Sequence, residues 1–196
     1  MRRFPWPLFL SVSLFSVSLF FGSACRGRQQ ESGQPEYTPT ATIKDIMLAI
    51  VDPSADVVWE SVATVVSSTG TEERVPRTDE EWTDVRRGAI RLVEATNLLM
   101  MPGRHVARPG EKSEAPDAEL EPEQMEVLVN KDREAWNRRA KALHDAGLAT
   151  LQAIDAKDRE KMFDAGERLE RACENCHLQY WYPNQQLPPG YGSSTR

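Results

Sequence analysis

The stretch 78–103, "TDEEWTDVRRGAIRLVEATNLLMMPG", carries the clearest structural signal in the sequence. Thr78 followed three residues later by Glu81 is a capping box, and Pro102-Gly103 is typical of a helix end. Between these signals, side chains repeat at the 3.6-residue period of one helical face. This stripe consists of Trp82, Val85, Ala89, Leu92, Val93, Thr96 and Leu99. The stretch predicts an amphipathic helix of roughly 22 residues, ~33 Å long.

Three further segments show the same helical period. They cover about 42–70, 123–154 and 155–182, and the first contains an interruption at Asp52-Pro53 before Gly70 closes it. No strand pattern competes with them. Four helices of similar length predict an all-α fold, an antiparallel up-down-up-down four-helix bundle.

The first 24 residues form a separate segment. Arg2 and Arg3 precede an apolar run from Leu8 to Phe21, which as a helix would span ~21 Å against the ~30 Å of a bilayer core. An export signal peptide therefore explains residues 1–24 better than a membrane span does.

The signal segment ends in "FFGSAC", and small residues before Cys25 are similar to a bacterial lipobox. The sequence thus predicts a periplasmic lipoprotein with a lipid on Cys25; ordinary signal-peptidase cleavage to a soluble periplasmic protein is the alternative. Residues 25–40 are polar and predict a tether, 41–182 the helical domain, and 183–196 a flexible tail.

The charge of the chain limits its partners. The formal net charge is −6, which argues against binding to nucleic acid, whose phosphates would be repelled. An acidic surface suits docking of a basic partner protein, although solubility alone explains the acidity equally well.

The last helix contains "CENCH", in which Cys173 and Cys176 are followed directly by His177. Cys-x-x-Cys-His is the attachment signature of c-type haem. Residues three apart lie on one helical face about 5–6 Å from each other, so both thiols can reach the vinyl groups of one porphyrin edge. His177 can then ligate the iron.

Other chemistry for the two cysteines fits the sequence less well. A redox-active Cys-x-x-Cys normally begins a helix, where the dipole lowers the thiol pKa, whereas this pair lies near a helix end. A structural zinc site needs four ligands, and only His105 and His144 could complete one. A disulfide leaves His177 without a role. Covalent attachment of one haem c is therefore the prediction.

With this motif on the last helix of an exported bundle, the chain resembles class II c-type cytochromes, the cytochrome c′ family, from about Ala41 to Tyr182. The resemblance implies a haem protein that is not an enzyme and that exchanges electrons with redox partner proteins or binds small gases. A homodimer is compatible with it. The polar loop after Gly103 departs from the short helix connections of that family.

The bundle topology also predicts a ligand for the other face of the iron. The start of the first helix lies beside the end of the last, which places Met47 near His177. Family members with Met in this region tend to be low-spin electron carriers, and those with a bulky apolar residue bind gases at five-coordinate iron. We therefore expect a single-electron carrier with His177 and Met47 as ligands. The alternatives are a five-coordinate protein that binds NO or CO, or ligation by Met100, Met101 or His105.

Overall fold

The computed structural model describes residues 37–185. The predicted signal peptide, Cys25, most of the tether and most of the tail lie outside these residues and stay predictions. The elements, in chain order, are α1 Ile43–Ile46, a π-helical turn Met47–Val51, α2 Asp52–Ser61, β1 Ala63–Ser67, β2 Gly70–Arg74, α3 Asp79–Met100, α4 Pro122–Lys131, α5 Arg133–Asp155 and α6 Arg159–Tyr180.

The segments α1, the π-helical turn and α2 follow one another without a break, and we call residues 43–61 the N-terminal helix. Thr42 caps its start. The amide of Asp52 donates to the carbonyl of Met47, a bond that spans five residues and widens the turn. Pro53 has no amide hydrogen and its ring crowds the preceding turn of a regular helix. The predicted interruption is thus present as a wide turn and not as a break.

Residues 62–74 differ from the sequence-based expectation of a helix extending to Gly70. The N-terminal helix ends at Ser61, and β1 pairs antiparallel with β2. The β-branched run 64–66 favours extended backbone, and Gly70 adopts a φ of +141°, which glycine tolerates. The statement that no strand competes was therefore wrong for this hairpin, and Val66 is 77% exposed instead of facing the core.

The helix predicted over 123–154 is divided in two. Asp132 separates α4 from α5 with a non-helical backbone, φ −139° and ψ 80°. Its side chain accepts a hydrogen bond from the amide of Ala135 at 2.8 Å, which caps α5. The apolar period continues through the break, so the sequence pattern alone does not reveal it.

The polar connection 101–121 contains no helix or strand, yet backbone hydrogen bonds hold it against the bundle. The amide of Ile43 donates to the carbonyl of His105 at 2.9 Å. The amide of Lys44 donates to the carbonyl of Val106 at the same distance. These bonds satisfy amides that a first helical turn leaves free, and they connect the loop to the start of the N-terminal helix.

The helices α3 and α5 run antiparallel. Near the start of α3, Arg86 Nε lies 2.6 Å from a carboxylate oxygen of Asp155 at the end of α5. At the other end, Trp136 Nε1 near the start of α5 donates to the carbonyl of Leu99 at 2.8 Å. Opposite ends of the two helices therefore meet at both contacts.

The other helix pairs follow the same rule. Arg139 near the start of α5 donates to Gln179 near the end of α6 at 2.8 Å. Trp59 near the end of the N-terminal helix approaches the carbonyl of Gly166 in the first half of α6, at 3.4 Å. The predicted antiparallel four-helix bundle is confirmed, with the hairpin as an addition.

An apolar core fills the bundle. Its most buried large side chains are Ile46, Leu92, Leu99, Ile154 and Leu169. Of the helices within residues 37–185, none is both long enough and apolar enough to cross a membrane.

Close packing of the N-terminal helix on α3 depends on Gly88. A Cβ at this position would lie 2.8 Å from Cγ1 of Val57 and 3.4 Å from the carbonyl oxygen of Ser54. Overpacking of this kind costs about 1–3 kcal/mol, which exceeds the ~1 kcal/mol that alanine gains over glycine in a helix. We expect Gly88→Ala to lower the free energy of unfolding by about 1 kcal/mol in urea titrations.

Gly166→Ala is the matched control for this substitution. A Cβ at Gly166 would meet Trp59 at 3.6 Å, which is ordinary contact. This variant should be as stable as the wild type or slightly more stable. Equal unfolding midpoints for Gly88→Ala and wild type would contradict this prediction. They would mean that the N-terminal helix and α3 can move slightly apart without loss of stability.

Candidate functional site

One cavity of about 400 Å³ brings together the four side chains that the sequence predicts for the site. Its walls come from the N-terminal helix, α3, α5 and α6. Cys173, Cys176 and His177 line it from α6, and Met47 lines it from the π-helical turn. The fold thus places at one site residues that are far apart in the sequence.

The three α6 side chains share a face because of their spacing. Cys173 and Cys176 are three residues apart and His177 is four residues after Cys173, the two separations that align side chains on a helix. The carbonyl of His177 accepts the amides of Trp181 at 2.7 Å and Tyr182 at 3.0 Å. These bonds close the last turn of α6 and fix the backbone beneath the imidazole.

Both thiols are free in the structure, with no disulfide between them. Burial, together with smaller effects of the neighbouring Cys176 and Asp52, raises the pKa of Cys173 to about 12. Burial also raises the pKa of Cys176 to about 12. A redox-active thiol needs a lowered pKa and access to solvent, so these protonated thiols do not fit that chemistry.

The imidazole of His177 is held by aromatic contacts. Its ring centroid lies 5.0 Å from that of Trp181 and 5.8 Å from that of Tyr182, both edge-on. Burial lowers the pKa of His177, against the opposing effect of Glu174 and Asp52. A neutral imidazole is the form that ligates a metal, and no residue within 37–185 forms a hydrogen bond with its ring.

Several polar or aromatic wall residues, among them Asp52, Trp136 and Arg139, were not identified as site residues from the sequence. Asp52 and Arg139 line the cavity beside the cysteines, and Trp136 lines it from α5. The sequence analysis treated Asp52 only as part of the interruption at Asp52-Pro53. Asp52 lies on the same side as Met47 only because the turn between them is π-helical, and sequence periodicity does not show such a turn.

A second cavity of about 220 Å³ adjoins the first. Its further walls come from the connection 101–121, α4 and the end of α6. The residues that line both cavities are Met47, Asp52, Trp136, Cys176 and His177. Because these five residues form a common wall, the two cavities belong to one site.

The other candidate ligands lie elsewhere. Met101 Sδ accepts a hydrogen bond from Arg104 at 3.2 Å, and Met100 packs against the core. His105 is exposed and its Nδ1 lies 2.8 Å from a carboxylate oxygen of Glu126. These three residues are absent from the walls of both cavities. Of the candidate ligands, only Met47 lines the same cavities as His177.

Two basic side chains, Arg104 and Lys44, could form ion pairs with the carboxylates of a haem. In the structure both already have other partners. Arg104 is buried and donates to the carbonyls of Leu98, at 2.9 Å, and of Ala41. It therefore ties the end of α3 to the start of the N-terminal helix. Lys44 lines the second cavity and its Nζ lies 3.2 Å from Glu114.

The residues present fit a covalently bound haem. Two uncombined thiols are available for thioether bonds, a neutral imidazole is available for the iron, and the walls around them combine apolar residues with a few charged ones. Within residues 37–185, no group of three or more His, Cys, Asp or Glu side chains is placed to hold a metal ion by itself. Two thiols and an adjacent imidazole are the side chains that hold a covalently bound haem.

Comparison with known proteins yields distant similarity. No protein-family model and no curated protein matches the chain. Two solved structures are similar, the nitric oxide complexes of two single-residue mutants of cytochrome c prime from Alcaligenes xylosoxidans. The first is 17% identical, with 75% of this chain and 99% of that chain covered and a TM-score of 0.45. The second is 16% identical, with 74% and 97% covered and a TM-score of 0.43. Similarity at this level says nothing about function.

Proposed function

We propose that this protein is a c-type cytochrome with one haem, attached through Cys173 and Cys176 and ligated by His177. The observation that carries the proposal is that two free thiols and a neutral imidazole from one face of α6 line the same cavity. In each attachment the thiol S–H adds across a vinyl group, so that a C–S and a C–H bond form and no electrons are removed. The bound iron would supply reversible one-electron chemistry.

We infer that Met47 is the second axial ligand and that the protein carries single electrons. Met47 and His177 come from different helices and line both cavities together. The π-helical turn supports this role, because such turns inside α-helices are frequent at functional sites. Met/His ligation raises the reduction potential of haem and is typical of electron-carrying cytochromes.

A second candidate function follows from the space beside Met47. The second cavity offers about 220 Å³ next to this side chain and His177, enough for a diatomic ligand. If Met47 only packs against the haem, the iron is five-coordinate and the protein binds NO or CO.

The proposed place of action is the periplasm, on the membrane surface. Residues 1–24 have the features of a signal peptide, Cys25 follows small residues, and 26–40 is a polar tether. Such a tether reaches a little over 20 Å as a random coil, which would keep the bundle near membrane-bound redox partners. Export supports haem attachment, since c-type haem is attached outside the cytoplasm.

The test is to express the full chain in bacteria that carry c-type maturation machinery. Mass spectrometry of the denatured protein should show the added mass of one haem on the peptide that contains Cys173 and Cys176. The reduced protein should show a sharp low-spin α band that CO leaves unchanged. A mature chain without the added mass would contradict the haem proposal, and a broad spectrum that shifts with CO would favour the gas-binding function.

A further inference from the structure

An apolar surface lies at the outer edge of the candidate site. Trp181 is 37% exposed, and its ring contacts the imidazole of His177 edge-on at 5.0 Å between centroids. Leu48 is 62% exposed and lines the second cavity together with Trp181. Contiguous exposed apolar surface that is rimmed by polar residues marks interaction sites, and these two exposed side chains line one cavity.

An acidic segment, residues 111–123, borders this apolar surface. The amide of Leu120 donates to the carbonyl of Trp181 at 2.8 Å, which fixes the segment beside the tryptophan. Burial favours the neutral acid at Glu119, but a hydrogen bond from the Ser113 hydroxyl at 2.8 Å and the nearby N–H donors together hold the pKa of Glu119 below its usual value. The carboxylate is therefore charged where it meets the indole.

The sequence of the segment is strongly one-sided in charge. Its single basic residue is Lys112, whose Nζ lies 3.5 Å from Glu123. Its acidic residues are Glu111, Glu114, Asp117, Glu119, Glu121 and Glu123. Lys44 of the N-terminal helix also pairs with Glu114, so a partner that approaches Trp181 meets six acidic side chains and two lysines, which leaves a net negative charge around the apolar contact.

We propose that this surface, which comprises Leu48, Trp181 and residues 111–123 and which we call the Trp181 surface, docks a redox protein with a basic, lysine-rich face. The inference rests on the proposed function. Apolar contact at Leu48 and Trp181 would bring the partner close to His177, the iron ligand. The acidic border would steer it, since complementary charge raises association rates by about 10- to 1,000-fold at low salt.

The test is the rate of electron transfer to lysine-rich mitochondrial cytochrome c, measured by stopped flow with the haem-loaded protein. The variant combines Glu114→Gln, Asp117→Asn and Glu123→Gln, three exposed acids of the segment. We expect its second-order rate constant to fall about tenfold at ~10 mM salt. The difference should vanish near ~1 M salt, where the Debye length falls from ~30 Å to ~3 Å.

A second variant, Glu80→Gln, Glu160→Gln and Asp164→Asn, is the matched control. It removes the same charge from exposed acids at the opposite end of the bundle, and Glu160 lies ~25 Å along α6 from His177. Its rate with cytochrome c should change less than twofold. An equal loss of rate in both variants would overturn the proposal, because net charge alone would then explain the effect.

An anionic reagent separates docking from a general loss of reactivity. Ferricyanide should oxidise the reduced segment variant faster than wild type, because repulsion near Trp181 is reduced. Slower oxidation by both reagents would also overturn the proposal. These outcomes are read on protein that already carries haem, so failure of haem attachment is seen separately in the mass and the spectrum.

Discussion

Replacing both Cys173 and Cys176 by serine should abolish covalent attachment of haem. Serine keeps the size of the side chain but offers no sulfur for a thioether bond. We expect the denatured double variant to lose the added haem mass completely, and each single variant to keep a fraction held by one bond. The measurement is mass spectrometry together with the absorption that remains after acid extraction of free haem.

Cys25→Ser is the control for that experiment, since Cys25 is the one cysteine of the chain besides Cys173 and Cys176. It should leave haem attachment intact. If Cys25 is acylated, the same variant should move the protein from the membrane fraction to the soluble fraction. A double variant at Cys173 and Cys176 that still held haem after acid extraction would contradict the proposed site.

Met47→Ala should convert the iron from six-coordinate to five-coordinate. The substitution would remove the side-chain sulfur of Met47, and the cavity beside this side chain would become larger. We expect the reduced protein to change from a sharp low-spin spectrum to a broad high-spin one, to bind CO where wild type does not, and to show a lower reduction potential. Absorption spectra with and without CO and a redox titration would measure these changes.

Met100→Ala is the matched control, because Met100 packs against the core and lies outside the walls of both cavities. Its spectrum should match that of wild type. If wild-type protein binds CO as readily as Met47→Ala does, then Met47 only packs against the haem.

Much of this architecture was accessible from the sequence. The period of the helical stripes and the capping box at Thr78 predicted α3 with its start at the correct residue. The antiparallel topology then predicted that Met47 would lie near His177, and both line the same cavity. These features depend on local spacing and on the order of the helices along the chain, which a single sequence displays.

The features that sequence reasoning missed depend on other causes. The hairpin that follows Ser61 competes with a weak helical pattern and wins through the β-branched run 64–66. The break at Asp132 leaves the apolar period unchanged. Asp52 and Arg139 are charged residues that tertiary packing brings to the cavity wall, and nothing in their local sequence distinguishes them from surface residues.

The π-helical turn at Met47–Val51 also bears on how this site could change during evolution. One residue more or less rotates the preceding part of a helix by about 100°, because a regular α-helix has 3.6 residues per turn. Deleting a single residue between Met47 and Asp52 would therefore turn a different side chain of residues 43–47 towards the cavity. The in-frame loss of one codon, without any substitution, would therefore be enough to change which side chain lines the cavity together with His177.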